Sequence, residues 1–203
     1  MSTAYVETGR TAQKRRTRQA LVDAARDLIA AGQTPTVEDA AAAASISRTT
    51  AYRYFPNQRA LLLAAHPEVG ATTMLPPSPP ADPHARLELV VRNFTAMILD
   101  TEAQQRTTLR LSLEASPEER AALPLRQGRA IRWIGEALEP LEGRLSTKQL
   151  RRLTLAIRAT TGIEALVWLT DVAGLSRADA VKLMRWSARS LLDAALENPP
   201  PAR

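Results

Sequence analysis

The sequence predicts an all-α protein in two parts, and three observations carry that reading. Hydrophobic residues make up 45% of the chain, mostly Ala and Leu, with aromatics at only 4%. Ala, Leu and Arg favour helix, whereas the scarce β-branched and aromatic residues favour strand. Apolar residues recur at three- and four-residue steps through most of the length. Six of the 14 prolines fall within residues 66–83, with Pro76-Pro77 and Pro79-Pro80 adjacent, and no helix continues through such a run. A chain of 203 residues is long enough for a small domain joined to a larger one. The division is therefore 1–65 as one helical domain, 66–83 as a Pro-rich linker and 84–203 as a second helical domain.

The first helix is predicted from Lys14, where Leu21, Ala24, Ala25, Leu28 and Ile29 form one face, and Gly32 marks its end. Thr36 opens Thr-Val-Glu-Asp; its hydroxyl caps a second, short helix whose first-turn acids suit the helix dipole. Ala44-Ser45-Ile46 is a tight connection, and Ser47 caps a third helix that Pro56 stops. Asn57 caps a fourth, through Leu61–Leu63, ending at Pro67. Beyond the prolines, helical segments are expected at about 84–103, 104–115, 124–142, 146–173 and 177–197, followed by a frayed Asn-Pro-Pro-Pro-Ala-Arg tail.

Composition excludes several kinds of chemistry. Cysteine is absent, which removes disulfides, thiol nucleophiles and Cys-ligated metal. The two histidines, His66 and His84, read as solvated residues of the Pro-rich connection rather than as metal ligands. No metal or other cofactor is expected. Neither a secretory leader nor an uninterrupted apolar run of membrane-spanning length is legible, so the expected location is the cytoplasm. None of G-x-S-x-G, H-E-x-x-H, a P-loop or G-x-G-x-x-G occurs, and an enzyme is not expected.

Charge points to a polyanion. The net charge is +6, and residues 1–65 hold nine Lys+Arg against five Asp+Glu. Five of those cations, Arg10, Lys14, Arg15, Arg16 and Arg18, fall together with no acid between them, as a basic arm suited to DNA. Three short helices with a three-residue turn before the last have the order of a helix-turn-helix. Its third helix begins Ser47-Arg48-Thr49-Thr50, so a guanidinium and hydroxyls occupy the turn that meets base edges in a major groove. Arg53, Tyr52 and Tyr54 follow as phosphate donors, although Tyr52 and Tyr54 read equally well as half-core residues. Phe55, Ile46, Val37 and Ala51 read as core.

The stretch from Thr34 to Leu63, TPTVEDAAAAASISRTTAYRYFPNQRALLL, resembles the signature of tetracycline-repressor-like (TetR family) transcriptional regulators. Its matching pieces are Thr36-Val37, Ser45-Ile46-Ser47, Tyr52-Arg53-Tyr54-Phe55 and Asn57-Gln58-Arg59. The resemblance covers about Lys14 to Ala65. It implies base contacts from Arg48, Thr49 and Arg53, and phosphate contacts from Thr36, Thr50, Tyr52 and Tyr54. With Lys14, Arg15, Arg18, Ser47, Asn57 and Gln58, these form the expected DNA-binding set. The chain departs from the family pattern at Ser45, where glycine is usual, at Ala40 and Ala51, where larger aliphatics are usual, and at Gln58, where lysine commonly meets a phosphate.

For residues 84–203 the resemblance implies ligand binding and dimerisation. The last two long segments carry apolar stripes, Leu155, Ala159, Gly162, Leu166 and Leu169, then Val181, Met184, Ala188, Leu191 and Ala195, expected to pack against the same helices of a second copy. Phe94, Met97, Trp133, Thr161, Glu164 and Trp168 are candidate lining of a small-molecule pocket, with ordinary core or surface as the alternative for each. The sequence is thus read as a dimeric repressor on a palindromic double-stranded operator, released by an effector. Coupling is expected through the fourth helix packed near Gln104–Ser116. The alternative is a helical protein-interaction adaptor with only non-specific DNA affinity.

Overall fold

The computed structural model describes residues 3–65, 72–116, 118 and 128–201. Among them are ten α-helices: α1 Thr3–Ala30, α2 Val37–Ala43, α3 Arg48–Tyr54, α4 Gln58–Ala64, α5 Pro83–Asp100, α6 Glu102–Glu114, α7 Arg129–Leu138, α8 Thr147–Thr161, α9 Ile163–Val167 and α10 Arg177–Glu197. A 3-10 turn, Glu139–Leu141, follows α7, and a turn of π-helix, Trp168–Val172, follows α9. The expected stop at Pro67, His66 and the start of the segment at 124 lie outside the described residues.

The chain folds as two compact units, Met1–Glu68 with Ala103–Leu125, and Val69–Glu102 with Arg126–Arg203. This differs from the division at a Pro-rich linker. Residues 72–75 are fastened to the second unit: Asn93 Nδ2 donates to the Met74 carbonyl at 2.9 Å, and Arg132 Nη2 and Trp133 Nε1 donate to the Thr72 carbonyl at 2.9 and 3.2 Å. Proline cannot donate, so such a segment is anchored through its carbonyls to side-chain donors. In turn α6 belongs to the first unit, because Leu111 joins its core.

That core is built from Leu21, Val22, Ala25 and Ile29 of α1, Val37, Ala40 and Ala41 of α2, Ala51 and Phe55 around α3, Leu61 and Leu62 of α4, and Leu111. Ala40 and Ala51 are fully buried, so the small residues at these positions let α2, α3 and α1 approach closely. Two helices end in the same hydrogen-bonded motif. At the end of α1 the Gly32 and Gln33 amides return to the carbonyls of Ile29 and Leu28; at the end of α2 the Ser45 and Ile46 amides return to those of Ala42 and Ala41. Both need a left-handed residue, supplied by Gly32 at φ 81° and, without a glycine, by Ser45 at φ 54°.

The second unit packs α10 on α8 and α5, and α7 on α5 and α8. Its core includes Val90, Phe94 and Ile98 from α5, Trp133 and Ile134 from α7, Leu153 and Ile157 from α8, and Met184, Ala188 and Leu192 from α10. Arg86, nearly buried on α5, clamps the end of α7 by donating to the Glu136 carbonyl and pairing with Glu139 at 3.0 Å. His84, expected in a loop, lies in the first turn of α5, with Nε2 2.7 Å from Asp193 of α10. The single helix expected over 146–173 breaks at Gly162, whose ψ of 178° is extended. Thr147–Val172 has the length and hydropathy of a membrane span, yet it contains that break and 44% of its most apolar window is buried inside the unit.

Candidate nucleic-acid interface

Local sequence sets up the three helices that frame the site. Thr36 and Asp39 cap α2 reciprocally: the Asp39 amide donates to Thr36 Oγ1 at 3.1 Å while the Thr36 amide donates to Asp39 Oδ2 at 2.8 Å, a capping box. The same carboxylate accepts from the Thr36 hydroxyl at 2.7 Å. These bonds hold the Asp39 carboxyl below its ordinary value of 3.8, the backbone bond from Thr36 contributing most. Ser47 caps α3 through the Thr50 amide, and Asn57 caps α4 through the Ala60 amide at 2.8 Å.

On α3 the helix period separates two faces. Ala51 and the following Phe55 are buried, while Ser47, Arg48, Thr49, Tyr52 and Arg53 are exposed and Thr50 and Tyr54 are half-buried. Tyr54 packs against the domain core, so of the two tyrosines it is Tyr52 that stands further out. The cations of the expected basic arm lie on α1, whose helix starts at Thr3 rather than near Lys14. Lys14, Arg15 and Arg18 are exposed there, and the Arg18 guanidinium sits 5.3 Å from the centre of the Phe55 ring, linking α1 to the end of α3.

Several residues of the expected DNA-binding set are engaged within the domain, Gln58 and Thr36 among them. Gln58 donates its amide to the Thr34 and Pro35 carbonyls at 3.2 and 3.1 Å, pinning the start of α4 to the entry of α2 rather than offering that donor to a phosphate. The Thr36 hydroxyl has its proton on Asp39. Neighbouring Arg59 donates to the Leu111 carbonyl at 3.4 Å, toward α6.

Sequence reasoning missed Glu38. Its Oε1 accepts from the Tyr52 hydroxyl at 2.7 Å and pairs with Arg48 Nη2 at 2.6 Å, and the Arg48 guanidinium lies 5.8 Å from the centre of the Tyr52 ring. The hydrogen bond from Tyr52 is the main reason that the Glu38 carboxyl is held below its ordinary 4.5, with Arg48 adding to it; the same bond raises the Tyr52 phenol. Nothing local in the sequence marks this triad, because its members lie on two helices and meet only through tertiary packing.

The second unit separates the candidate ligand and partner residues. Phe94 and Trp133 are buried and meet edge to face at 6.1 Å, with the Arg158 guanidinium 5.7 Å from the Phe94 ring centre. Met97 is half-buried. Thr161 is buried with its hydroxyl on the Ile157 carbonyl at 2.8 Å. Glu164 is exposed and meets this cluster through Arg158, with which it pairs at 3.0 Å across the break at Gly162, whereas Trp168 is 58% exposed. Of the expected dimer stripe, Gly162, Leu166, Leu169, Met184, Ala188 and Ala195 are buried inside the unit, Val181 and Leu191 are half-buried, and only Leu155 and Ala159 are exposed. The unit's own helices therefore cover the greater part of the stripe. Large exposed apolar side chains instead include Trp168, Val172, Leu183 and Trp186.

Residues 21–65 match the family model described as bacterial regulatory proteins, tetR family. No curated protein matches the chain. The matched segment spans the core of α1 through α4, including the capped α2, the left-handed turn and the outward face of α3. Over these 45 residues the chain is similar to bacterial regulatory proteins of the tetR family, which supports a DNA-binding transcriptional regulator.

Proposed function

We propose that this regulator is a cytoplasmic homodimeric repressor, bound to a palindromic operator through α3 and released by a small-molecule effector. The observation that carries the reading is the outward face of α3, where Arg48, Thr49 and Arg53 are exposed above a core of Ala51 and Phe55. Guanidinium forks suit guanine and threonine methyls suit thymine; Thr50, Tyr54, Asn57 and the α1 cations Lys14, Arg15 and Arg18 supply donors for phosphates, while the Ser47 and Tyr52 hydroxyls donate to Thr50 and Glu38.

Dimerisation is supported by the apolar side chains that the second unit leaves outside, above all Trp186 at 64% and Trp168 at 58% exposure. Large apolar side chains left this exposed suit a partner surface. Phe94, Trp133 and Met97, with Arg158 against the Phe94 ring, are the best candidates to meet an effector, as an aromatic and cationic lining. An effector acts by preferring one state of the protein, and the same coupling energy then weakens DNA binding.

The test is footprinting of purified protein on the DNA flanking its own gene, against random duplex of equal length at ~150 mM salt. A protected palindrome bound orders of magnitude more tightly than random duplex, with that preference lost in Arg48→Ala, supports the reading. Equal weak binding to both duplexes favours the adaptor.

A further inference from the structure

The triad of Glu38, Arg48 and Tyr52 assigns a role to an acid on a surface that the reading above presents to a polyanion. Seven residues make up α3, and Arg48 and Arg53 are its two cations. One of these is neutralised from another helix. Support of α2 does not account for the whole placement: as a first-turn acid Glu38 bonds its own amide and the Thr36 hydroxyl, but Asp39 already closes the capping box there. The Glu38 carboxylate also reaches across to α3, and it is the acid that does so among the described residues.

From this geometry we infer that Glu38 is a specificity-determining residue, which suppresses attachment of α3 to random phosphates while leaving Arg48 able to read a base. The inference rests on α3 being the recognition helix. A guanidinium carries five N–H donors, and Glu38 Oε1 engages Nη2. Other donors remain to fork onto a base edge, and the ion pair with the Tyr52 contact restricts where they point. A phosphate approaching the same guanidinium meets the carboxylate already paired with it at 2.6 Å, and the two negative charges repel. Specificity built by a repulsive element lowers affinity for the wrong partner more than for the right one. Tyr52 takes part by holding the carboxylate through its 2.7 Å hydrogen bond, so the acid does not swing freely into solvent.

Glu38→Gln keeps the shape and an oxygen that accepts from Tyr52, and removes the charge. The full-length protein and the variant are titrated by fluorescence anisotropy against a random 30-bp duplex and against the best duplex that the wild type selects from a randomised pool, from 50 to 200 mM salt. The variant is expected to bind random duplex several-fold more tightly, with a salt slope steeper by about 0.9, the value of one more effective phosphate contact. Its preference for the selected duplex falls by a similar factor. In an Arg48→Ala background the gain on random duplex should shrink to near nothing. Unfolding temperatures are measured alongside, and Glu38→Ala repeats the series if the Gln variant is unstable.

An unchanged preference, or an equal gain on both duplexes that persists undiminished without Arg48, would overturn the inference and leave only long-range charge. If Arg48→Ala abolishes selection while Glu38→Gln changes nothing, α3 is the recognition helix and the role of Glu38 is refuted alone. If the wild type selects no duplex, the DNA-reading role of α3 fails and the inference falls with it.

Discussion

Ser45→Gly should stabilise the first unit. Ser45 closes α2 at φ 54°, a left-handed conformation that costs an L-residue roughly 1–2 kcal/mol. Glycine adopts it freely but loses about 0.5–1 kcal/mol more chain entropy on folding, so the net gain is about 0.5–1 kcal/mol. Nothing else in the motif need change: the Ser45 and Ile46 amides keep their bonds of 3.1 and 2.8 Å to Ala42 and Ala41, and residue 45 is exposed. For a chain of this length that gain raises the unfolding temperature by about 1–4 °C. The assay is thermal and urea unfolding of wild type, Ser45→Gly and Ser45→Ala. Alanine keeps the Cβ that causes the strain and should gain nothing. A glycine variant no more stable than the alanine variant would refute the argument from backbone strain.

Other outcomes follow from the same structure. For the proposed homodimer, Leu183→Asp and Trp186→Asp should halve the sedimenting mass while leaving helical circular dichroism intact, because both side chains are exposed on the single chain. Met184→Ala, beside them but buried, should instead cost about 2–5 kcal/mol in urea unfolding. Gln58→Ala should lower stability by about 1 kcal/mol without changing the salt slope of DNA binding, since its amide serves the Thr34 and Pro35 carbonyls. Glu38 and Asp39 are both held below their ordinary values of 4.5 and 3.8, so the stability they contribute is present above those values and lost as pH falls through the depressed ones. The urea midpoint should therefore drop on acidification below about pH 4, and Asp39→Asn should flatten part of that drop.

What was legible in the sequence was what neighbouring residues decide. The caps at Thr36, Ser47 and Asn57, the stop at Gly32 and the helical period of α2 to α4 are contests between a few side chains and the adjacent backbone, and the structure has each of them. The segregation of α3 into a core edge and an exposed face followed from the same period. Less legible was whatever depends on a distant partner. The basic run before Arg18 read as an arm, yet it continues the helix back to Thr3. A helical stripe says that a face is buried without saying by what, and Met184, Ala188 and Ala195 turned out to face their own unit. Gly162 read as a small packing residue within one long helix; its extended backbone breaks that helix, and the Arg158–Glu164 pair closes over it so that no methyl fits between them. Glu38 looked like one more first-turn acid, since its partners lie ten and fourteen positions away.

The first unit is discontinuous in sequence, and this sets an order of events during synthesis. Residues 1–68 leave the ribosome first, but the unit also takes residues 103–125, and Leu111 belongs to its core. At about 5–20 residues per second, translation of the intervening segment takes a few seconds. During that time the surface of α4 that will pack against Leu111 has no α6 to cover it. Nascent chains arrested before residue 111 should therefore be more sensitive to protease at α4 than chains arrested beyond residue 125, and a fragment ending near residue 68 is a poor stand-in for the native DNA-binding unit.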